Sequence, residues 1–247
     1  DEAYEFALPQ RNLYDGYWEG KVGGSKKMAR VFDSTAINST QRFANRLQSG
    51  IFPPQRSWCR LEPGPDIPIA RRPEAQAALD VYTEKLFATL KQSNFDIAMG
   101  EFLLDLAVGT AVMIVQPGDD INPINFVPVP QYLVSFEEGA NGQVDNVYRR
   151  MRIKGESIQQ QWKDANIDAE LQKRIDDKPT DDVELIEATV YDYKSGKYSY
   201  HVIHKESKTE VVYRVMPYSP WIVSRYMKVA GEIYGRGPLI TALPDIK

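Results

Sequence analysis

The hydrophobic pattern changes its period part-way along the chain, and this change constrains the fold more than any other feature. Between Ser34 and Gly109, apolar residues recur at the three- and four-residue spacing of helix faces. From Val127 onward, β-branched and aromatic residues alternate with polar ones, which is the period of a half-buried strand. The sequence therefore predicts an α+β fold in which N-terminal helices are followed by an antiparallel β-meander.

Three helices are predicted in the first half. The first covers residues 34–49, because Asp33 and Ser34 can cap its start and Gly50 can end it. The second begins at Pro73 and the third at Ser93-Asn94, and a strand over residues 110–116 follows the third directly. The predicted buried face of the second helix consists of Ala75, Ala78, Leu79, Tyr82 and Leu86. The predicted buried face of the third helix consists of Phe95, Ala98, Met99, Phe102, Leu103 and Leu106.

The second half is predicted to be mostly strands. Asn141-Gly142 is typical of a tight hairpin turn, and from Pro238 a helical pattern begins that the last residue interrupts. The predicted strands cover residues 132–137, 144–153, 183–193, 197–204, 209–215 and 221–226, with two short polar helices over 156–163 and 168–176.

Charge is distributed unevenly behind a formal total of −4. Residues 11–60 carry +6, whereas residues 1–10 carry −3 and residues 61–247 carry −7. A basic segment on an acidic body indicates either a local contact with a polyanion or a pairing with acidic groups of another subunit. The candidate residues for a contact with DNA or with a neighbouring subunit are Lys21, Lys26, Lys27, Arg30, Arg42 and Arg46.

Several kinds of chemistry are excluded by composition. Cys59 is the only cysteine, so an intramolecular disulfide and any multi-cysteine zinc site are impossible, and a reducing compartment is favoured. His201 and His204 are the only histidines, and on a strand their spacing places them on opposite faces. No apolar run approaches the ~18 residues that a membrane span requires. We expect no catalytic residue, no metal, no cofactor and no membrane contact.

One enzymatic alternative stays open at this stage. Asp192 on one strand and Glu206 with Lys208 after the next could hold magnesium beside a lysine, the arrangement of metal-dependent nucleases. Turn chemistry explains the same residues, because Glu206 and Lys208 fall in a predicted polar turn over 205–208.

Four motifs in a fixed order give the chain a family resemblance. They are Asp33-Ser-Thr-Ala36, Gly50-Ile-Phe-Pro-Pro54 with Trp58, Val129-Pro-Gln-Tyr132 with its hairpin, and Tyr234-Gly-Arg-Gly-Pro238. Together they resemble the head-to-tail connector, or portal, proteins of short-tailed, T7-like bacteriophages. The motif residues with an expected structural role are Asp33, Ser34, Thr35, Ala36, Phe52, Pro53, Pro54, Trp58, Tyr234, Gly235, Arg236 and Pro238.

This resemblance implies a non-enzymatic subunit of a dodecameric ring at one capsid vertex of the virion, assembled in the host cytoplasm. Double-stranded DNA would pass through its channel during packaging and ejection. The implied protein partners are the terminase, a tail adaptor, the scaffold and the major capsid protein. A capsid-tail adaptor that binds only protein is a further possibility.

The resemblance also divides the chain into parts. Residues 1–32 would be an extended arm, 33–126 the helical part of a portal wing, and 127–237 its antiparallel β part with two short helices. Residues 238–247 would start a channel-lining stem helix, so we expect the chain to be part of a longer protein. Trp18, Phe52 and Trp58 would lie either in a subunit interface or in the core of their own chain.

Overall fold

The computed structural model describes residues 2–9, 33–54 and 56–246. Contacts divide these residues into two compact units, the first formed by the described parts of 1–129, 224–230 and 234–247, and the second by 130–223 with 231–233. In chain order, the elements within the described residues are α1 (Glu2–Ala7), α2 (Thr35–Ile51), α3 (Arg72–Gln92), α4 (Phe95–Val108), β1 (Thr110–Pro117), β2 (Ile124–Val129), β3 (Val134–Glu138), β4 (Val144–Lys154), α5 (Ile158–Gln161), α6 (Ala169–Asp177), β5 (Asp182–Asp192), β6 (Lys197–His204), β7 (Glu210–Met216), β8 (Trp221–Arg225) and α7 (Pro238–Ile246).

The predicted α+β class is confirmed, with two corrections near the N-terminus. Helix α1 occupies residues that the sequence assigned to an extended arm, and its buried residues Ala3, Tyr4 and Ala7 pack against Leu239. Residues 10–32 of the predicted arm lie outside the described residues. Helix α2 continues through Gly50 to Ile51 and ends where the Phe52 N–H donates to the Gln48 carbonyl at 2.8 Å.

Helix α3 has its proline in the first turn, as predicted, but its buried face is rotated from the predicted one. Of the predicted residues, Ala75, Leu79 and Leu86 are half-buried and Ala78 is exposed. Tyr82 is 59% exposed, whereas Thr83 and Phe87 are buried. The Thr83 hydroxyl accepts a hydrogen bond from the Leu61 N–H at 3.1 Å, and the ring of Phe87 contacts Trp58. The connection that precedes α3 therefore determines which side of the helix is buried, and helical periodicity alone carries no information about that connection.

The core of the first unit lies between α4, α2 and the sheet of β1 and β2. Helix α4 buries five of the six residues predicted for its inner face, and Leu106 is half-buried. Strand β1 pairs antiparallel with β2, and β8 is the third strand of a sheet with the order β2-β1-β8. Strand β2 begins before the predicted alternation at Val127 and contains Pro128, which an edge strand tolerates because a proline has no N–H to donate.

The second unit contains the predicted antiparallel meander. Its five strands follow the order β3-β4-β5-β6-β7, and their bounds lie within two residues of the predicted ones. Asn141-Gly142 forms the expected turn, in which Gly142 has a φ of 74° that favours glycine. One face of this sheet packs against α5 and α6, and the buried residues of this core are Ile158, Trp162, Leu171, Val183, Leu185, Tyr200, Val202, Val211 and Val212.

A chain of polar side chains crosses this second core. Glu187 is fully buried, and it accepts a hydrogen bond of 2.5 Å from the Tyr200 hydroxyl. Arg149 approaches the other carboxylate oxygen at 3.4 Å, and the Trp162 indole donates to the Tyr200 oxygen at 3.2 Å. Burial and the neighbouring Glu187 raise the pKa of Tyr200, so this phenol stays protonated and keeps its hydrogen to donate.

Replacement of Tyr200 by phenylalanine should destabilise the protein by about 1–3 kcal/mol, because the buried Glu187 loses a hydrogen-bond donor while little volume changes. Urea unfolding measures the difference. Tyr198→Phe removes a hydroxyl for which the described residues provide no hydrogen-bond partner, so it is the matched control and should change stability little. Equal effects of both variants would contradict the role assigned to the polar chain.

Candidate functional site

Two arginines form the only charged positions of helix α2. Arg42 and Arg46 lie one turn apart on its exposed face, and no described residue forms an ion pair with either. The four other predicted contact residues, Lys21, Lys26, Lys27 and Arg30, lie outside the described residues. The structure thus exposes a basic pair at two of the six predicted positions.

The opposite faces of α2 are held by packing. Ala44 and Leu47 lie in the cluster formed with α4, and the Gln48 amide donates to the Asp96 carbonyl at 2.8 Å. Phe43 packs edge-on against Tyr226, with ring centroids 5.8 Å apart. These contacts fix the direction in which the helix presents its arginines.

The first motif starts α2. The Asp33 carboxylate accepts hydrogen bonds of 2.7 Å from both the hydroxyl and the N–H of Thr35, and these bonds lower its pKa. Ser34 precedes the helix but its hydroxyl accepts only from the Asn38 side chain, at 3.3 Å. Ala36 is partly buried against the cluster that contains α1. These residues position the helix that carries the arginines.

The second motif returns to the core of its own unit. Phe52 contacts both Trp58 and Phe95 edge-on, with centroid distances of 5.0 and 5.6 Å. Trp58 stacks on Phe95, with ring centroids 5.8 Å apart. Pro53-Pro54 lies in the turn between Phe52 and Trp58. Phe52 and Trp58 therefore pack against the core of their own chain and remain half-buried. Trp18 lies outside the described residues.

The last motif attaches the start of α7 to the end of α4. The Gly235 N–H donates to the Thr110 hydroxyl at 2.8 Å, and the Gly237 N–H donates to the Val108 carbonyl at 2.9 Å. The Arg236 N–H donates to the Met227 carbonyl at 2.9 Å, and Pro238 is the first residue of α7. The segment is thus bound through its backbone, which side-chain patterns do not report.

Three glycines allow this close approach, which we call the glycine junction: Gly109, Gly235 and Gly237. A Cβ atom on Gly237 would lie closer than 3.0 Å to the Ala107 carbonyl oxygen, and one on Gly235 would lie equally close to the Gly109 oxygen. Gly109 also has a φ of 151°, which side-chain-bearing residues rarely adopt. No residue but glycine fits these three positions without a shift of the backbone.

The residues of the nuclease alternative do not form a site. Asp192 and Glu206 lie at opposite ends of the β5–β6 ladder, which pairs Asp192 with Lys197 and Leu185 with His204. At ~3.4 Å per residue, the two carboxylates are separated by more than about 20 Å. A shared magnesium ion is therefore impossible, and this alternative is wrong.

Each of those residues has a local role instead. Asp192 accepts hydrogen bonds from the Ser195 hydroxyl and the Lys194 N–H in the hairpin turn, and these bonds lower its pKa. Glu206 pairs with Arg174, and Lys208 has a φ of 58° in a tight turn. Across the described part of the chain, no group of three or more histidine, cysteine, aspartate or glutamate side chains could hold a metal ion.

The two histidines lie on opposite faces of β6, as predicted. His204 is buried, with Nδ1 2.7 Å from the Ser207 hydroxyl, whereas Nδ1 of the half-buried His201 lies 2.5 Å from Glu210. Among the described residues, no helix is long and apolar enough to cross a bilayer.

A comparison with protein-family models gives a match over residues 1–247 to the bacteriophage head to tail connecting protein. The chain belongs to this family. Connector proteins of this family are structural components of the virion. A search of curated protein sequences found no match.

Sequence reasoning about this connector found the motifs but missed how they act. Neither Gly109 nor Gly237 is among the motif residues with an expected structural role, although both contribute to the glycine junction. The available signal was the repeated glycine at positions 235 and 237 directly before Pro238, since such a pair favours close backbone approach.

Replacement of Gly237 by alanine should destabilise the connector by about 1–3 kcal/mol, because the new methyl group overlaps the Ala107 carbonyl. Thermal unfolding monitored by circular dichroism measures the change. Gly50→Ala is the control, since no atom lies within 4 Å of its added Cβ and alanine favours a helix by up to ~1 kcal/mol. A Gly237 variant as stable as wild type would show that the junction does not constrain the fold.

Proposed function

We propose that this connector is a portal subunit of a short-tailed, T7-like phage. It would assemble into a dodecameric ring at one capsid vertex and form the channel through which double-stranded DNA enters during packaging and leaves during ejection. The observation that carries this proposal is the family match over the whole chain. A protein that connects head to tail occupies the position through which the DNA has to pass.

The charge distribution is consistent with a conduit. Residues 61–247 carry a net charge of −7, and an acidic surface repels phosphates. Strong phosphate binding would slow the passage of DNA, because each neutralised phosphate adds to the affinity. A mainly acidic wall with a confined basic segment would guide DNA without holding it.

The proposed partners follow from the same role. The terminase would dock during packaging, and the tail adaptor would take its place later, with scaffold and major capsid protein as neighbours during assembly in the host cytoplasm. Residues 33–126 and 127–237 would form the helical and β parts of the wing, and residues 238–247 would start the stem helix. Residues 1–32 would form the arm, of which α1 is helical in the structure.

The basic residues would be the contact with DNA or with a neighbouring subunit. Arg42 and Arg46 support this role, because they are exposed and lack a carboxylate partner among the described residues. Lys21, Lys26, Lys27 and Arg30 would extend the same contact.

A ring-forming connector should give a closed oligomer when the product of its full gene is measured by native mass spectrometry. We expect one dominant species of twelve subunits that persists on dilution. A monomer at high micromolar concentration would contradict the proposal. A closed ring of another size would correct only the proposed subunit number.

The proposed role also predicts that supercoiled plasmid stays intact during incubation with the protein and magnesium, because Asp192 and Glu206 cannot share an ion. Agarose electrophoresis provides the measurement. The variant Glu206→Ala is run in parallel to identify contaminating nuclease. Cleavage by the wild type that the variant lacks would contradict a purely structural role.

A further inference from the structure

We propose that the exposed face of helix α2 is a contact site for the phosphates of a DNA duplex. The inference rests on the proposed portal function and specifies a surface of the helical wing part that would meet packaged DNA. It commits to the sugar-phosphate backbone as the ligand. An acidic surface of a second copy is the competing occupant, and the experiment below distinguishes the two.

The chemistry of this face matches a phosphate ligand. Over all 17 residues of α2 the only charged groups are two guanidinium groups, and the helix contains no carboxylate. Arginine together with hydroxyl and amide side chains makes most protein contacts to phosphate oxygens. The exposed residues of the helix before Gly50 include Asn38, Ser39, Gln41, Arg42, Asn45, Arg46 and Ser49, all of which belong to these side-chain types.

The spacing of the arginines suits one DNA strand. Residues at i and i+4 of a helix have Cβ atoms roughly 5–6 Å apart on the same face. Phosphates of one strand follow each other every ~3.4 Å along the duplex axis, so Arg42 and Arg46 can each reach a phosphate of that strand. Gln41 and Asn45 repeat the same interval beside them, and their side chains are joined by a hydrogen bond of 3.1 Å.

The helix is held rigidly while its arginines remain free to bind. Thr40 and Ala44 are buried, and Phe43 contacts Tyr226, so the backbone of α2 is fixed on the side away from the arginines. The carboxylate of Asp33 at the start of the helix is bonded to Thr35. At 1.5 Å per residue it lies roughly 14 Å from Arg42, which is beyond the Debye length of ~10 Å at 0.1 M salt.

Further carboxylates lie on the two helices that pack against α2, namely Glu2 and Glu5 on α1 and two exposed residues on α4. Asp96 and Glu101 are exposed on that helix, which packs against the buried face of α2. Neither forms an ion pair with Arg42 or Arg46 in the described part of the chain. Helix α2 itself contains no carboxylate. An anion bound at its arginine face therefore meets no competing acidic side chain of this helix.

Two phosphates per subunit give a weak contact, and weakness is required of a surface past which DNA moves. Binding to two phosphates releases their counterions. This release contributes about −1.8 to the slope of a plot of log K for DNA binding against the logarithm of the salt concentration. In a ring, each subunit would present the same contact. DNA affinity should therefore depend steeply on salt.

The experiment compares the wild-type protein with two doubly substituted variants. Arg42→Gln with Arg46→Gln removes the proposed contact. Arg71→Gln with Arg72→Gln removes the same charge from an exposed pair at the start of α3 and is the control. Binding to a fluorescent duplex is measured by anisotropy from 20 to about 200 mM salt, in whatever oligomeric state native mass spectrometry finds for each protein.

The proposal predicts that the α2 variant binds the duplex at least about tenfold more weakly at low salt and that its salt slope becomes shallower by about 2 for each subunit in contact. The control should keep the wild-type slope. Equal slopes for all three proteins would overturn the proposal. Failure of the α2 variant alone to form the wild-type oligomer would overturn it in favour of a contact between subunits. A monomeric wild type with the predicted slopes would contradict the ring and not the phosphate site.

Discussion

The first unit depends on the contact of backbone with backbone at the glycine junction. The end of α4 and the start of α7 are more than a hundred residues apart in sequence, yet N–H and carbonyl groups of the two segments are paired directly. Backbone groups have a fixed size, so the distance between the two segments depends on the side chains that lie between them. Glycine has no side chain and therefore allows the closest approach. The position of α7 on α4, and of α1 on α7, follows from this contact.

The second unit is stabilised differently, through a core that includes charge. Glu187 is tolerated in the interior because Tyr200 and Arg149 supply partners for its oxygens. Elsewhere in this unit, carboxylates such as Asp168 cap a helix or, like Glu184, pair with Arg152 and Lys205. The acidic groups that could suggest catalysis thus have structural partners, which is what a component of an assembly requires.

Much of this fold could be predicted because the spacing of apolar residues along the sequence matches their burial in the helices and strands. Strand β6 buries alternate residues, and α4 buries five of the six residues predicted for its inner face, so these inner residues follow from spacing. The prediction was wrong where a distant contact overrides the local signal. The side of α3 that is buried is set by Trp58 and Leu61, and α2 extends past Gly50 because Phe52 is held in the aromatic core. For the candidate site, the uneven charge distribution was sufficient to name Arg42 and Arg46, which are exposed in the structure. Periodicity did not predict the glycine junction, because the spacing of apolar residues does not report a close backbone approach; the repeated glycine before Pro238 was its signal in the sequence.

The edge-on contact between Phe43 and Tyr226 has a mechanical consequence. Phe43 lies next to Arg42 in α2, and the Tyr226 N–H donates to the carbonyl of Gly109 at 2.9 Å. One continuous path of stiff elements therefore leads from the arginine face, through two aromatic rings and one peptide group, to the first turn of α7. Helix α2 and the segment that starts α7 are therefore linked by a short series of contacts within the first unit, so a displacement of one has to rearrange the contacts of the other.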